Sequence, residues 1–461
     1  MDTEQAYQNS LDYLYSFVDY SLTRGFRNQP GMFDLGRMVD FMAYLGNPHQ
    51  AYPILHVAGT KGKGSVCALC AGALQVAGYK VGLYTSPHLQ DYAERIQINR
   101  QPIPHADLVS LVDEIRPYLD KGTKLTTFEI TTALAFLYFA RQGATVVVAE
   151  VGLGGRLDAT NIVTPLVSVI TSLSYDHMQV LGNTLAEIAA EKAGIIKPGV
   201  PLVLAPQLDE ARQVVTRIAS ERGAPLIEVG VDVHFQSIQR GLDGQSLFVW
   251  SADQQQLFDA FNRGAPGWEP LRLDIPLLGE HQAENAAVAF AALKAVNQRG
   301  ILLSTDQIRQ GFAQASWAGR FEILQRQPPV VVDSAHNRDS AVKLRQALDD
   351  YFPGKRVILV FGASEDKDIP GMFDELLPVA SHLIVTRSFH PRAADLGHLV
   401  EQAARHNHPV SVVPAIEDAL VAGLRLLDDN SLLLVTGSIF IAAGARETWY
   451  NLKLGEGGLK D

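Results

Sequence analysis

One stretch of the chain has residue types and a spacing suited to holding the phosphates of a nucleotide: His56-Val57-Ala58-Gly59-Thr60-Lys61-Gly62-Lys63-Gly64-Ser65. An apolar run over 54–58 stops at glycines, lysines and a serine, and a helical pattern opens at Val66 and continues through Leu69, Ala73 and Val76. In such a strand–loop–helix unit the glycines let backbone N–H groups crowd around phosphate oxygens. The helix N-terminus adds positive partial charge, and a lysine reaches the outer phosphates. The general pattern G-x-x-x-x-G-K-[ST] is not met, because position 57 is valine and Gly64 separates Lys63 from Ser65. From the pattern alone, an ordinary glycine-rich strand-to-helix turn stays open as the alternative.

Three further groups follow apolar runs, where open α/β sheets place their ligands. They are Ser86 (followed by Pro87 and His88), Glu150 after the run 145–149, and His177 past the run 166–171. If the sheet is parallel, all three converge on the glycine loop. One hydroxyl, one carboxylate and one imidazole suit a nucleotide-bound magnesium, which keeps water and phosphate in its shell, better than an all-protein metal cage. A lone carboxylate ending an apolar strand is costly unless paired, whereas His177 has the plainer alternative of hydrogen bonding within a loop. Lys192, between Glu191 and Ala193 on a predicted helix, reads from spacing alone as a solvated helix lysine. Asp333 and His336 follow another apolar run, with Asn337 beside them. Arg320, just before Phe321, stands where an arginine from one domain would meet phosphates held by another and couple closure to chemistry. Asp366 and Lys367 read equally well as a solvated charged loop.

The elements that must position these groups alternate between strand and helix. Strands are predicted at 54–58, 80–85, 145–149, 166–171 and 201–205, with helices at 66–78, 128–142 and 184–195. Residues 2–45 read as helical, 229–278 as short polar-interrupted strands forming an antiparallel flank, and 285–296 as a helix. A second series begins near Gly319, with strands at 330–332, 356–361, 383–386, 410–413 and 432–436. The alternation predicts an α/β protein with mostly parallel sheets in both halves. A length of 461 residues predicts two or three domains; we place an N-terminal ATP-binding domain over 1–300 and a C-terminal domain over 301–461. An apolar share of 47% supplies a large core, and a net charge of −11 argues against a nucleic-acid-binding surface. Only two cysteines occur, Cys67 and Cys70, which excludes a disulfide framework; on the helix after the glycine loop they read as small buried residues. The polar, acidic N-terminus and the lack of a long apolar run predict a soluble, cytoplasmic protein without a membrane span. A monomer is the default expectation.

Taken together these segments resemble the folylpolyglutamate synthase and dihydrofolate synthase family of Mur-ligase-like, ATP-dependent amide ligases. The resemblance rests on motifs in family order: Gly59-Thr60-Lys61-Gly62-Lys63-Gly64-Ser65, Thr85-Ser86-Pro87-His88-Leu89, Glu94-Arg95-Ile96 and Thr127-Phe128-Glu129. Then come Glu150 through Asn161, Asp176-His177, Glu191-Lys192-Ala193-Gly194, Gly279-Glu280-His281-Gln282 with Asn285, Gly319-Arg320-Phe321-Glu322 and Asp333-Ser334-Ala335-His336-Asn337. The family commonly has asparagine where Lys61 stands and proline where Ala318 stands; the extra Gly64 is a family feature.

The resemblance implies an N-terminal P-loop-type ATPase domain and a smaller Rossmann-like C-terminal domain, with the site in the cleft between them. It implies a loop of Gly59, Thr60, Lys61, Gly62, Lys63, Gly64 and Ser65 on ATP, with Asn285, Arg320 and Asp333 also contacting the nucleotide. Ser86, Glu150 and His177 would hold magnesium, and Lys192 matches a lysine carried as a carbamate that ligates a second ion. Lys63, Lys192 and His336 are the expected catalytic groups. Substrate contacts are expected from Ser86, Pro87, His88, Thr126, Thr127, Phe128, Glu129, Leu157, Asp158 and Ala159, with L-glutamate near His336 and Ser438. The implied reaction joins L-glutamate to a folate, to dihydropteroate, or to both, through an acyl phosphate. A cell-wall Mur-type ligase is the related alternative. A P-loop kinase or motor NTPase, and a non-catalytic nucleotide- or folate-binding module, are the readings from other classes.

Overall fold

A computed structural model describes residues 2–18, 34–122, 124–406 and 408–452. Its first domain is built on an eight-stranded sheet. In spatial order the strands are Gln101–Pro102, Ile96–Ile98, Val81–Tyr84, Val146–Glu150, Ile54–Ala58, Val167–Ile170, Leu202–Leu204 and Leu226–Glu228. The last six run parallel, and only the edge hairpin is antiparallel. The central strands are buried along their whole length, which is why they read as continuous apolar runs rather than alternating ones. Their registers pair Val57 with Glu150 and Ala58 with Ile170, so the loops that follow all open on one edge of the sheet.

The predicted antiparallel flank is present as a three-stranded sheet of Val233–Gly241, Gly244–Ser251 and Leu271–Ile275. The helical expectation for the N-terminus holds over Thr3–Tyr15 and Leu35–Tyr44, while its stretch 19–33 lies outside the described residues. The second domain carries six strands: Glu322–Arg326, antiparallel at the edge, then Pro329–Val332, Ser431–Thr436, Arg356–Phe361, Ala380–Val385 and Val410–Val412, all parallel.

The boundary expected at residue 300 lies elsewhere. Helix Thr305–Ala313 packs on helix Lys63–Val76, and Leu303, Ile308, Phe312 and Ala315 belong to the first domain's core. The contact is backbone-close: a Cβ at Gly311 would come within 2.3 Å of the Cα of Ala73. Trp317 also packs on this core, so the crossing into the second domain falls just after it. The amphipathic pattern of this nine-residue helix shows that one face is buried but not which core it joins, because both domains offer apolar faces.

Helix Lys63–Val76 is sandwiched between the sheet and the helices Glu280–Asn297 and Thr305–Ala313. Its residues are buried without a break from Ser65 to Leu74, and Cys67 and Cys70 are free and fully buried, as small core residues. Among the described residues no helix is long and apolar enough to cross a membrane.

Candidate active site

The glycine loop begins where strand Ile54–Ala58 ends. The amides of Thr60 and Lys61 both donate to the carbonyl of Ser172, at 3.0 and 3.1 Å, strapping the start of the loop to the neighbouring strand's exit. Gly62 adopts φ +88°, and a Cβ there would meet the Asn285 side-chain oxygen at 2.2 Å, so the turn is closed over Asn285. The first helical hydrogen bond runs from the Val66 amide to Gly62. The amides of Lys63, Gly64 and Ser65 thus lie ahead of the helical ladder, in the arrangement that receives anions.

Beside the loop, the Lys63 ammonium lies 3.8 Å from the carboxylate of Glu150, and the Ser86 amide donates to the other Glu150 oxygen at 3.2 Å. Glu150 is only 5% exposed. Burial raises its carboxyl above the ordinary value, and the Lys63 ammonium offsets that only in part. Lys192, expected from spacing to be solvated, is instead buried at 5% exposure and donates to the Gly59 carbonyl at 2.9 Å. Burial, reinforced by the Lys63 charge, pushes its amine down to about 7. Spacing had no access to this, because helix Leu185–Lys192 turns its last residue under the glycine loop.

A second cluster forms on Asp176, whose side chain is 7% exposed. It accepts from Lys61 at 3.0 Å and from Lys367 of the second domain at 2.8 Å, with His336, also of that domain, 3.4 Å away. Burial alone would raise this carboxyl, but the Lys61 and Lys367 ammoniums hold it well below the carboxylate range. Lys367 is therefore an inter-domain ligand of Asp176, and the charged run around it is not simply a solvated loop. His336 Nδ1 faces the Ser334 carbonyl at 2.9 Å and its Nε2 faces the Lys61 ammonium at 2.8 Å. Burial and the Lys61 charge push its imidazole down to about 4, so it is neutral at pH 7.

His177 adopts φ +50° at the start of its short helix, and its ring is 3.8 Å from Asp176 rather than against Glu150. Its ring is half-open to the cleft, at 41% exposure, and the desolvation it does meet lowers the imidazole from its ordinary value. Among the described residues no three His, Cys, Asp or Glu side chains form a metal cage. Arg320 is electrostatically paired with Asp333 and Glu150, and Asp333 accepts from the Phe321 and Ala335 amides at 2.8 and 2.7 Å. Asn285 donates to Gln282 at 3.0 Å, directly beneath the loop.

Between the domains lies a cavity of about 1820 Å³. It is lined by Ser86, Pro87 and His88, by Thr126, Thr127, Phe128 and Glu129, by Leu157, Asp158 and Ala159, and, from the far side, by Arg320, His336, Lys367 and Ser438. Its lining does not include residues 59–65, which stand behind its Ser172–Asp176 edge. Several lining groups also hold the backbone. Asp158 accepts from the Leu153 and Thr160 amides, at 2.9 and 3.0 Å. Thr126 and Glu129 form a reciprocal cap on helix Thr127–Arg141, and Ser438 caps helix Ile439–Asn451. His88 accepts from Arg95 at 2.9 Å. Asp176 and Lys367 both line the cavity, and sequence reasoning underrated them. The Asp176-His177 pair gave a signal, whereas nothing local to Lys367 did.

These features define a phosphate-loop enzyme with its reaction space between two α/β domains. A family model described as "Mur ligase middle domain" matches residues 57–293, and one described as "Mur ligase, glutamate ligase domain" matches 319–439. The chain is 37% identical over 450 residues to the dihydrofolate synthase/folylpolyglutamate synthase of Bacillus subtilis, covering 96% of this chain and 99% of the relative. It superposes on the Mycobacterium tuberculosis folylpolyglutamate synthase complexed with ADP and AMPPCP with a TM-score of 0.83, at 31% identity, over 97% of this chain and 98% of that one. With E. coli FolC in complex with DHPP and ADP the TM-score is 0.82, at 31% identity, over the same shares. The chain belongs to the Mur ligase family, in its folylpolyglutamate and dihydrofolate synthase branch.

Proposed function

We propose that this chain joins L-glutamate to a folate, and to dihydropteroate, with ATP supplying the energy. The observation that carries the reading is the inter-domain cavity, with the Lys63–Glu150–Ser86 corner behind one wall and Lys61, Asp176, Lys367 and His336 meeting across it. A carboxylate is a poor electrophile, so its oxygen first attacks the γ-phosphorus of ATP, giving an acyl phosphate and ADP. The amine of glutamate then attacks the activated carbonyl carbon, and phosphate leaves. For the first step Lys63 and the amides of Lys63, Gly64 and Ser65 hold the phosphates and offset the charge on the transferring group. Asn285, Arg320 and Asp333 are assigned to the nucleotide.

Magnesium fits this site. Glu150 is a buried carboxylate that its ammonium at 3.8 Å and the charge of Arg320 do not fully compensate, a setting that a cation would complete. Ser86, Glu150 and His177 would hold one ion, which supplies charge neutralisation at the phosphates. Lys192 has an amine brought to about 7, and the neutral amine is the form that adds carbon dioxide; as a carbamate it would serve a second ion.

In the second step the attacking nitrogen becomes strongly acidic once bonded to carbon. Neutral His336, with Nδ1–H donated to Ser334, offers Nε2 to take that proton. The acceptor substrate is assigned to the wall made by Ser86, Pro87, His88, residues 126–129 and residues 157–159, and glutamate to His336 and Ser438. The first domain, through about residue 317, would thus bind nucleotide and acceptor, and the second would bring the amino acid. Closure of the cleft would keep water from the acyl phosphate. The test is one assay that offers dihydropteroate and tetrahydrofolate in turn and measures ADP release and product mass. ADP release that requires both acceptor and glutamate, with product heavier by one glutamyl residue, supports the reading. Release that ignores glutamate overturns it in favour of a kinase or motor NTPase.

A further inference from the structure

Lys61 is a phosphate-loop residue, yet its ammonium does not sit over the loop. It donates to Asp176 of its own domain at 3.0 Å and reaches the second domain at His336 Nε2, 2.8 Å away. The tautomer of His336 follows from its other nitrogen. Nδ1 faces a carbonyl, Ser334 O at 2.9 Å, which can only accept, so Nδ1 carries the proton and Nε2 holds the lone pair. That lone pair is therefore occupied by the Lys61 N–H. The same side chain that ties the loop to the far domain masks the nitrogen that must take the amine's proton.

The position can be vacated without stranding a charge. If Lys61 withdraws, Asp176 keeps its second ammonium, Lys367 at 2.8 Å. Lys61 is two residues from Lys63 on the same loop, and a triphosphate seated there would carry several negative charges against the single, already shared charge of Asp176.

We propose that Lys61 is a positioning residue with two stations. Without nucleotide it covers Nε2 of His336, and with a triphosphate on the loop it swings back and uncovers that nitrogen. The base for amide formation is then exposed only after the phosphoryl donor has bound. This rests on the reading that His336 takes the proton.

The experiment reads His336 directly, without turnover. Diethyl pyrocarbonate acylates neutral imidazole nitrogen, and peptide mass spectrometry on the full chain gives a labelling rate for each histidine. Without nucleotide, His336 should label about tenfold faster in Lys61→Asn and Lys61→Met than in the wild type, a factor within the usual range of coupling between sites. Adding AMPPCP with magnesium should raise the wild-type rate towards that of the variants. Equal rates in wild type and variants, or a wild-type rate that AMPPCP leaves unchanged or lowers, overturn the proposal. The wild-type comparison needs no substitution, so a variant that fails to fold does not blunt the test. Failure of the underlying reading shows elsewhere: His336→Asn would then ligate at the wild-type rate whatever the labelling shows.

Discussion

Two buried carboxylates stand on either side of the loop exit, and they are treated in opposite ways. Asp176 has Lys61, Lys367 and His336 around it and is held well below the carboxylate range. Glu150, equally buried, has one ammonium at 3.8 Å, one amide and the charge of Arg320, and is still raised above its ordinary value. The first is satisfied by the protein itself and joins the two domains. The second is left short of positive charge beside the phosphate loop, where a ligand would supply it. A buried charge is tolerable when paired and costly when it is not, so the difference separates a group that holds structure from one that awaits chemistry.

The comparison can be broken in several ways. Lys63→Ala removes the ammonium that serves both Glu150 and the phosphates, and glutamate-dependent product formation should fall by about 10³-fold, measured as initial rate with saturating glutamate. In stability the two acids should differ in sign. Asp176→Asn leaves the Lys61 and Lys367 ammoniums facing one another and should destabilise by about 3 kcal/mol at pH 7, whereas Glu150→Gln should leave the metal-free protein unchanged or more stable by about 1 kcal/mol. Thermal unfolding without magnesium checks both, and destabilisation by Glu150→Gln matching that of Asp176→Asn would remove the contrast.

Their pH dependence follows the same division. The folded value of Asp176 lies below its unfolded one, so its contribution is complete above the ordinary carboxylate range and is lost as pH falls towards the folded value. Glu150 runs the other way: its burial is least costly when protonated, and the cost appears as pH rises past the ordinary range. Melting curves at stepped pH for wild type and Asp176→Asn should therefore converge on the acid side.

Lys192 adds a smaller effect. Its folded value of about 7 lies below that of an unfolded lysine, so stability should rise with pH from about 7 towards the ordinary lysine value. Lys192→Met should flatten that slope. The smallest effect is expected at Arg326, paired with Asp243 on the exposed outer side of the domain junction; Arg326→Ala should leave the melting temperature unchanged.

Much of this was legible in the residue order. The strands around the loop are short apolar runs ended by glycine or a polar residue, so 54–58 and 356–361 match the observed strands, and most others fall within a residue or two at each end. The burial of Glu150 was legible too, because it ends an uninterrupted run of apolar strand residues. Lys192 and Lys367 were not: each is an ordinary lysine among charged neighbours, and its meaning depends on a partner far away in the chain.

The sequence by itself determined the alternation of strands and helices, the phosphate loop and the acids and bases at strand ends, because periodicity and backbone preference are local properties. Only the tertiary structure decided which core helix Thr305–Ala313 joins, that Lys192 is buried beneath Gly59, and that Lys61 crosses to His336. Burial and charge pairing depend on distances through space, and these exist only once the sheets have packed against their helices and the two domains have met.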